Sequence, residues 1–176
     1  MRIHESVTDI IKAQVNHELH AAYSYLGMAA YFDSQDLAGF ALWFRGHARE
    51  EISHAMRLYD FLVSCDVPVE LQAMSAPATV FDSPRSAIEA GLEQEQQVTE
   101  QIKNMFEVAH EAKEYTTQPM LHWFLAEQVE EEDLFRKVLN DVEAAGSSDF
   151  HMLQLDKQMA QLAAADGSGD GEGEIA

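Results

Sequence analysis

Arg49-Glu50-Glu51-Ile52-Ser53-His54 is the stretch on which the fold turns. Within it Glu51 and His54 stand three residues apart. On an α-helix, positions i and i+3 project from one face. A carboxylate and an imidazole are therefore offered side by side, a mixed oxygen and nitrogen donor set suited to iron or manganese inside a helical bundle. Such a pair alone is common on solvated helices. Its weight comes from a second, matching arrangement.

Upstream lies Glu18, and 51 − 18 = 33. Later come Glu95 and then Gln128, and 128 − 95 = 33, with Glu131 three residues further on. Glu, gap, Glu-x-x-His in the first half thus returns as Glu, equal gap, Gln-x-x-Glu in the second. Two antiparallel helix pairs of equal geometry carry these residues at one height. Helical bundles that hold two metal ions are built this way, from single Glu residues on two helices and i, i+3 pairs on the other two.

Working outward, residues from about Ser6 to Phe32 read as a first helix, with Val7, Ile11, Val15, Ala22, Leu26 and Ala29 at helical period. Glu18 interrupts that stripe, and Tyr25 lies two turns on along the same face. The short polar break Asp33-Ser34-Gln35-Asp36 implies an antiparallel neighbour. The second helix, about Leu37 to Ser64, has the stripe Phe40, Phe44, His47, Glu51, His54, Leu58 and Phe61. The helical pattern stops from Cys65 to Asp82. That segment can reach ~60 Å, against ~40 Å for a helix of this length, so it can run the length of the bundle. The expectation is one long crossover between parallel second and third helices, docked through Val67, Val69, Leu71, Met74, Val80 and Phe81.

Ser83-Pro84 opens a third helix, as N-cap and first helical residue. Its stripe is Ile88, Leu92, Glu95, Val98, Ile102, Phe106 and Ala109, and it ends near Ala112. A fourth helix starts about Pro119 and ends at Gly146, with the stripe Leu121, Phe124, Gln128, Glu131, Phe135, Val138 and Val142. A short fifth helix, about Asp149 to Ala164, needs a packing partner to persist. Residues 166–176 are Gly-rich and acidic and read as a disordered tail behind a single domain, 1–165. The fold class is all-α: a four-helix bundle with one long crossover connection and a short fifth C-terminal helix.

Charge narrows the partners. With 11 basic and 31 acidic residues the chain carries −20, which disfavours nucleic acid and anionic membranes and favours cations. No apolar run approaches the ~20 residues that span a bilayer. The single Cys65 excludes an internal disulfide, and the start Met1-Arg2-Ile3-His4 has no apolar signal core. The expected location is the cytoplasm.

Buried charge is rarely tolerated unless it is paired or metal-bound. Glu18, Glu51, Glu95, Glu131, His54 and Gln128 share the inward faces without a basic residue to balance them. Two divalent cations would neutralise the set. Glu18, Glu51 and His54 suit one metal, site A; Glu95 with Gln128 or Glu131 suits a second, site B; Glu51 can bridge them. Iron fits the mixed donors best, followed by manganese and zinc. Glu131 can lean toward site B or toward Glu127 and Glu130, which with Glu50 form an all-carboxylate site C. Glu132 and Asp133 read as solvated, His17 and His20 as surface, and His47 as a hydrogen-bonded core histidine.

Asn16-His17-Glu18 to Tyr25, Ala48-Arg-Glu-Glu51-Ile-Ser-His54, Glu95 and Ala126-Glu-Gln-Val-Glu-Glu131 resemble the ferritins, specifically the bacterial-type non-haem ferritins. The resemblance runs from about residue 6 to 162. It implies a ferritin-like subunit assembled as a homo-24-mer that stores iron and oxidises Fe2+ with O2. By position it assigns Glu18, Glu51 and His54 to site A. Site B becomes Glu51, Glu95 and Glu131 with Gln128 close by, and site C becomes Glu50, Glu127, Glu130 and Glu131; Tyr25 stands beside the catalytic set. Two to three iron ions per subunit follow. Haem-binding relatives carry Met after the bridging Glu, where this chain has Ile52, so no haem is expected. The alternative is a di-iron or di-manganese oxidase or catalase on the same bundle that stores nothing.

Overall fold

The computed structural model describes residues 3–166. Five helices follow one another: α1 (Glu5–Ser34), α2 (Ala38–Ser64), α3 (Pro84–Glu111), α4 (Gln118–Ala145) and α5 (Asp149–Asp166). The last carries through Asp166, one residue into the segment read as a tail. The rest of that segment, 167–176, lies outside the described residues.

Helix ends have local causes. His4 accepts the backbone N–H of Ser6 at the start of α1. Ser83 and Ser86 exchange side-chain and backbone bonds at the start of α3, a capping box behind Pro84. At the C-termini of α1, α2 and α3 the chain turns through Asp36, Asp66 and Lys113, with φ of 58°, 58° and 55°. Each turn is closed by a bond from the next residue back into the helix: Leu37 N to Phe32 O, Val67 N to Leu62 O, Glu114 N to Ala109 O, at 3.0, 3.0 and 2.8 Å. Of α1 to α4, α4 is the one that turns on a glycine, Gly146.

Two apolar clusters fix the helix directions. One joins the end of α1 (Tyr25, Phe32), the start of α2 (Phe40, Phe44), the start of α3 (Ala87, Ile88) and the end of α4 (Val138, Val142). The other joins Val7 and Ile11 of α1, Leu58 and Leu62 of α2, Ile102 and Met105 of α3, and Leu121 and Phe124 of α4. So α1 and α2 are antiparallel, α3 and α4 are antiparallel, and α2 runs parallel to α3. The polar residues of all four stripes fall between the two clusters.

The crossover lies along α1, and polar contacts hold much of it. Asn16 donates to Glu70 O (2.9 Å) and accepts from Gln72 N (2.8 Å); His20 meets Ser75 Oγ at 3.3 Å. Further along, a side chain at Gly27 would strike Ala78 O at 2.4 Å, so only glycine permits this approach. Phe81 packs edge-on against Tyr31. Of the apolar residues expected to dock the segment, Val67, Val69 and Phe81 are half-buried. Leu71, Met74 and Val80 are exposed, Val80 by 84%. Leu26, placed in the α1 stripe, is likewise exposed.

α5 packs on the start of α2. Leu37 provides no side-chain cap there; instead Asp156 Oδ1 accepts the Phe40 N–H at 2.9 Å. Gly39 admits this contact, since a Cβ on it would overlap Asp156 O at 1.7 Å. α5 buries Leu155 and Met159 and leaves Phe150, Leu153 and Leu162 exposed.

Candidate metal centre

The band between the two clusters buries Glu18, Glu51, His54, Glu95, Gln128 and Glu131 together with His47 and Tyr25. Each sits on the inward stripe of its helix, held there by aromatic and aliphatic neighbours a turn away. Tyr25, for example, packs against Phe44, His47 and Phe135 with ring centroids 5.7 Å apart.

Glu18, Glu51 and His54 converge: each offers a ligand atom within 4.8 Å of the others. His54 Nδ1 lies 3.3 Å from Glu51 Oε2. Glu18 Oε2 and Glu51 Oε2 are buried and accept from no N–H or hydroxyl side chain. Two carboxylate oxygens without a donor, beside a neutral imidazole, fit a divalent cation. Burial raises Glu18 to about 7; hydrogen bonds with the Glu51 carboxyl and from Gln14 oppose the rise, and the nearby Glu95 charge adds to it. Burial, then the Glu18 and Glu95 charges, push Glu51 well above the carboxylate range. Burial lowers His54 to about 4, with the Arg57 charge adding to it, so the imidazole is neutral and its lone pair is available. A cation entering here displaces carboxyl protons and restores the ionised forms.

The second half is arranged differently. Tyr25 donates its hydroxyl to Glu95 Oε1, and Gln128 Nε2 donates to Glu95 Oε2 at 3.0 Å and to Glu95 O at 3.2 Å. Both oxygens of Glu95 thus accept hydrogen bonds. Its carboxyl is raised by burial, and the bonds from Tyr25 and Gln128 work against that rise. Tyr25 stays a phenol, raised first by burial and then by the Glu95 and Glu51 charges. Among the described residues, Glu95 joins no cluster of three potential ligand atoms. Glu131 Oε2 lies 3.5 Å from His47 Nδ1, on the side of Glu50.

Two further clusters form there: His47, Glu50 and Glu131; and Glu50, His54 and Glu127. Glu50 and Glu127 therefore meet, each cluster including a histidine. Glu130 is exposed and lines the same opening, about 560 Å3, with Glu127 and Glu131. A neighbouring opening of about 520 Å3 is lined by Trp43, His47, Glu50, His54, Trp123 and Glu127. Arg57 caps the Trp123 ring at 3.8 Å. His47 is buried as a core histidine would be, but it also belongs to a cluster that could hold a metal; burial, then His54, lowers it to about 3. His17, His20 and Asp133 are exposed as read. Glu132 is not simply solvated: Thr99 donates to it at 2.7 Å.

Sequence reading missed Gln14 and Thr99. Gln14 donates to Glu18 Oε1 at 3.0 Å, and Thr99 lies 3.4 Å from Gln128 Nε2. Each stands four residues from the buried Glu of its helix, and that spacing was the available signal.

Four long helices with carboxylates and an imidazole meeting at mid-height have the plan of a carboxylate bundle that could hold metal. The comparisons sharpen the class. The family model for the ferritin-like domain matches residues 8–145. A bacterial non-heme ferritin of Staphylococcus aureus is 35% identical over 155 residues, 88% of this chain and 93% of the relative. The open pore ferritin of the archaeon Archaeoglobus fulgidus superposes with a TM-score of 0.89 at 37% identity, covering 91% of this chain and 98% of that one. An engineered closed form of that ferritin gives 0.88 at 37% identity, over 90% and 96% of the two chains. The chain belongs to the ferritin family.

Proposed function

We propose that this chain stores iron, oxidising Fe2+ with O2 at the buried centre and passing Fe3+ into the hollow of a 24-subunit cage in the cytoplasm. Iron is here both substrate and cargo. The observation that carries the reading is the Glu18–Glu51–His54 cluster, with its two carboxylate oxygens buried and without donors.

Glu18 and His54 would hold one Fe2+, and Glu51 stands where it can share in a second with Glu95. Opening Glu95 to that ion means exchanging the Tyr25 and Gln128 bonds for metal contact, so both donors set how readily the second position fills. Two Fe2+ would each give one electron to O2, which with two protons becomes H2O2, and the carboxyl protons would leave as the cations bind. Glu50, Glu127, Glu130 and Glu131 line an opening beside the centre, and their hard oxygens suit Fe3+ on its way out. Exposed Leu26, Leu42, Leu71 and Val80, together with the apolar side of α5 that carries Phe150 and Leu153, support burial against further copies of the chain.

Aerobic Fe2+ oxidation, followed by absorbance for the wild type and Glu51→Ala, tests the centre: the variant loses the fast phase, and equal rates discard the reading. Light scattering tests the cage. A species of only a few subunits discards storage and leaves the oxidase or catalase alternative.

A further inference from the structure

One polar group near the centre is left unused by this mechanism. Gln14 is almost wholly buried on α1, one turn before Glu18. Its Nε2 donates to Glu18 Oε1 at 3.0 Å and to Gln101 Oε1, on α3, at 3.1 Å. Its Oε1 lies 3.3 Å from His17 Nδ1. The amide orientation follows from its partners. Turned the other way, its carbonyl would face the Glu18 carboxylate, acceptor against acceptor, once that carboxyl is ionised. With Nε2 committed to the two oxygens, His17 carries its proton on Nδ1 and donates to Gln14. Three of the amide's four hydrogen-bonding directions are thereby engaged, from two helices.

The consequence falls on Glu18. Its Oε1 is occupied by Gln14, while its Oε2, buried and without an amide or hydroxyl donor, faces the Glu51 and His54 cluster. Behind Gln14, His17 and Gln101 line a separate opening of about 240 Å3 between α1 and α3. Gln14 thus stands between that opening and the buried carboxyl.

We propose that Gln14 is a positioning residue of the metal centre: braced by Gln101 and His17, it holds Oε1 of Glu18 so that Glu18 presents Oε2 alone to the cation. Outer partners of this kind fix the rotamer and denticity of a ligand, and their loss weakens metal binding about 10–100-fold. Packing alone would give no such effect, because methionine fills the same space as glutamine. The inference rests on the metal-centre reading, and the test separates the two.

The probe is Co2+, titrated anaerobically into the metal-stripped full-length protein and read by its d–d absorption. The first Co2+ equivalent is expected to bind Gln14→Met about 10–100-fold more weakly than wild type, with altered band intensity, while circular dichroism and sedimentation stay as in wild type. Gln101→Met keeps the bond to Glu18 but removes its brace, and is expected to lose less than about 10-fold, with a shift of the same bands. Wild-type affinity and spectrum in Gln14→Met overturn the proposal; if that variant fails to fold, wild-type behaviour in Gln101→Met overturns it. A wild type that takes up no Co2+ removes the metal centre itself, and this inference with it.

Discussion

Replacing Glu18 by glutamine should stabilise the metal-free protein while disabling it. The unfolded chain releases the Glu18 proton near 4.5, but in the folded protein burial holds it to about 7. Below pH 4.5 both states are protonated and the residue does not affect stability. Between 4.5 and about 7 folding requires proton uptake, so stability falls as pH rises; above about 7 the loss is complete. A gap of about 2.5, at about 1.4 kcal/mol per pH unit, amounts to roughly 3 kcal/mol. Glu18→Gln removes the titration and keeps the shape, and its carbonyl can still accept from Gln14. For a chain of this size, roughly 3 kcal/mol corresponds to about 6–12 °C in melting temperature. Differential scanning calorimetry of the metal-stripped protein should show that gain at pH 8 and none at pH 4.5. Zn2+ at about 1,000 times its dissociation constant adds about 4 kcal/mol to whichever protein binds it, which reverses the order in favour of wild type. A variant that melts below wild type at pH 8 without metal would refute the claim that Glu18 is held in place against its own ionisation.

Other perturbations reach the supporting structure. Tyr25→Phe removes one of the bonds that a second cation must displace from Glu95, and the second Co2+ equivalent is expected to bind about 10-fold more tightly than in wild type in an anaerobic titration. Asp156→Ala removes the cap on α2, worth about 0.5–2 kcal/mol; partial proteolysis should then release α5 sooner than in wild type. Gly39→Ala drives a methyl into the Asp156 carbonyl and is expected to detach α5 outright, seen as a smaller particle by light scattering. Asn16→Ala removes both bonds from α1 to the middle of the crossover, so amide exchange at Gln72 should rise while exchange in the helix interiors is unchanged.

Much of this architecture is readable along the chain because each helix declares its own inward face. Val7, Ile11, Phe40, Phe44, Ile88 and Phe124 are buried where the period puts them, and the acidic interruptions land between the clusters they form. What one helix face cannot declare is which distant segment will meet it. Asp156 caps a helix 116 residues earlier in the chain, and nothing around Leu37 announces it. Nor does composition reveal that Asp36, Asp66 and Lys113 adopt the left-handed turn usually left to glycine, since the bonds back to Phe32, Leu62 and Ala109 are what hold them there. The crossover followed the same pattern. Its length was legible, but its attachment comes through Asn16, a polar residue on a helix already assigned to the core.

The central band carries that argument one step further. The two halves share a spacing but divide their donors differently. Glu18 keeps one oxygen free of amide and hydroxyl donors and is steadied through the other by Gln14, one turn back. Glu95 has both oxygens engaged, and the Gln128 that engages it is within reach of Thr99, one turn ahead. The same substitution that breaks the sequence repeat, amide for carboxylate at 128, supplies the donor that occupies Glu95. On the proposed reading, the first position, on the Glu18 side, would be open to a cation, whereas the second would be closed by bonds that a cation must displace. That ordering predicts two unequal binding steps. Anaerobic calorimetric titration with Co2+ should resolve a tight first equivalent and a weaker second, and Gln128→Glu, which replaces the donor with another acceptor, should bring the two together. A single step of two equal sites in the wild type would mean that the Tyr25 and Gln128 bonds do not govern access to Glu95.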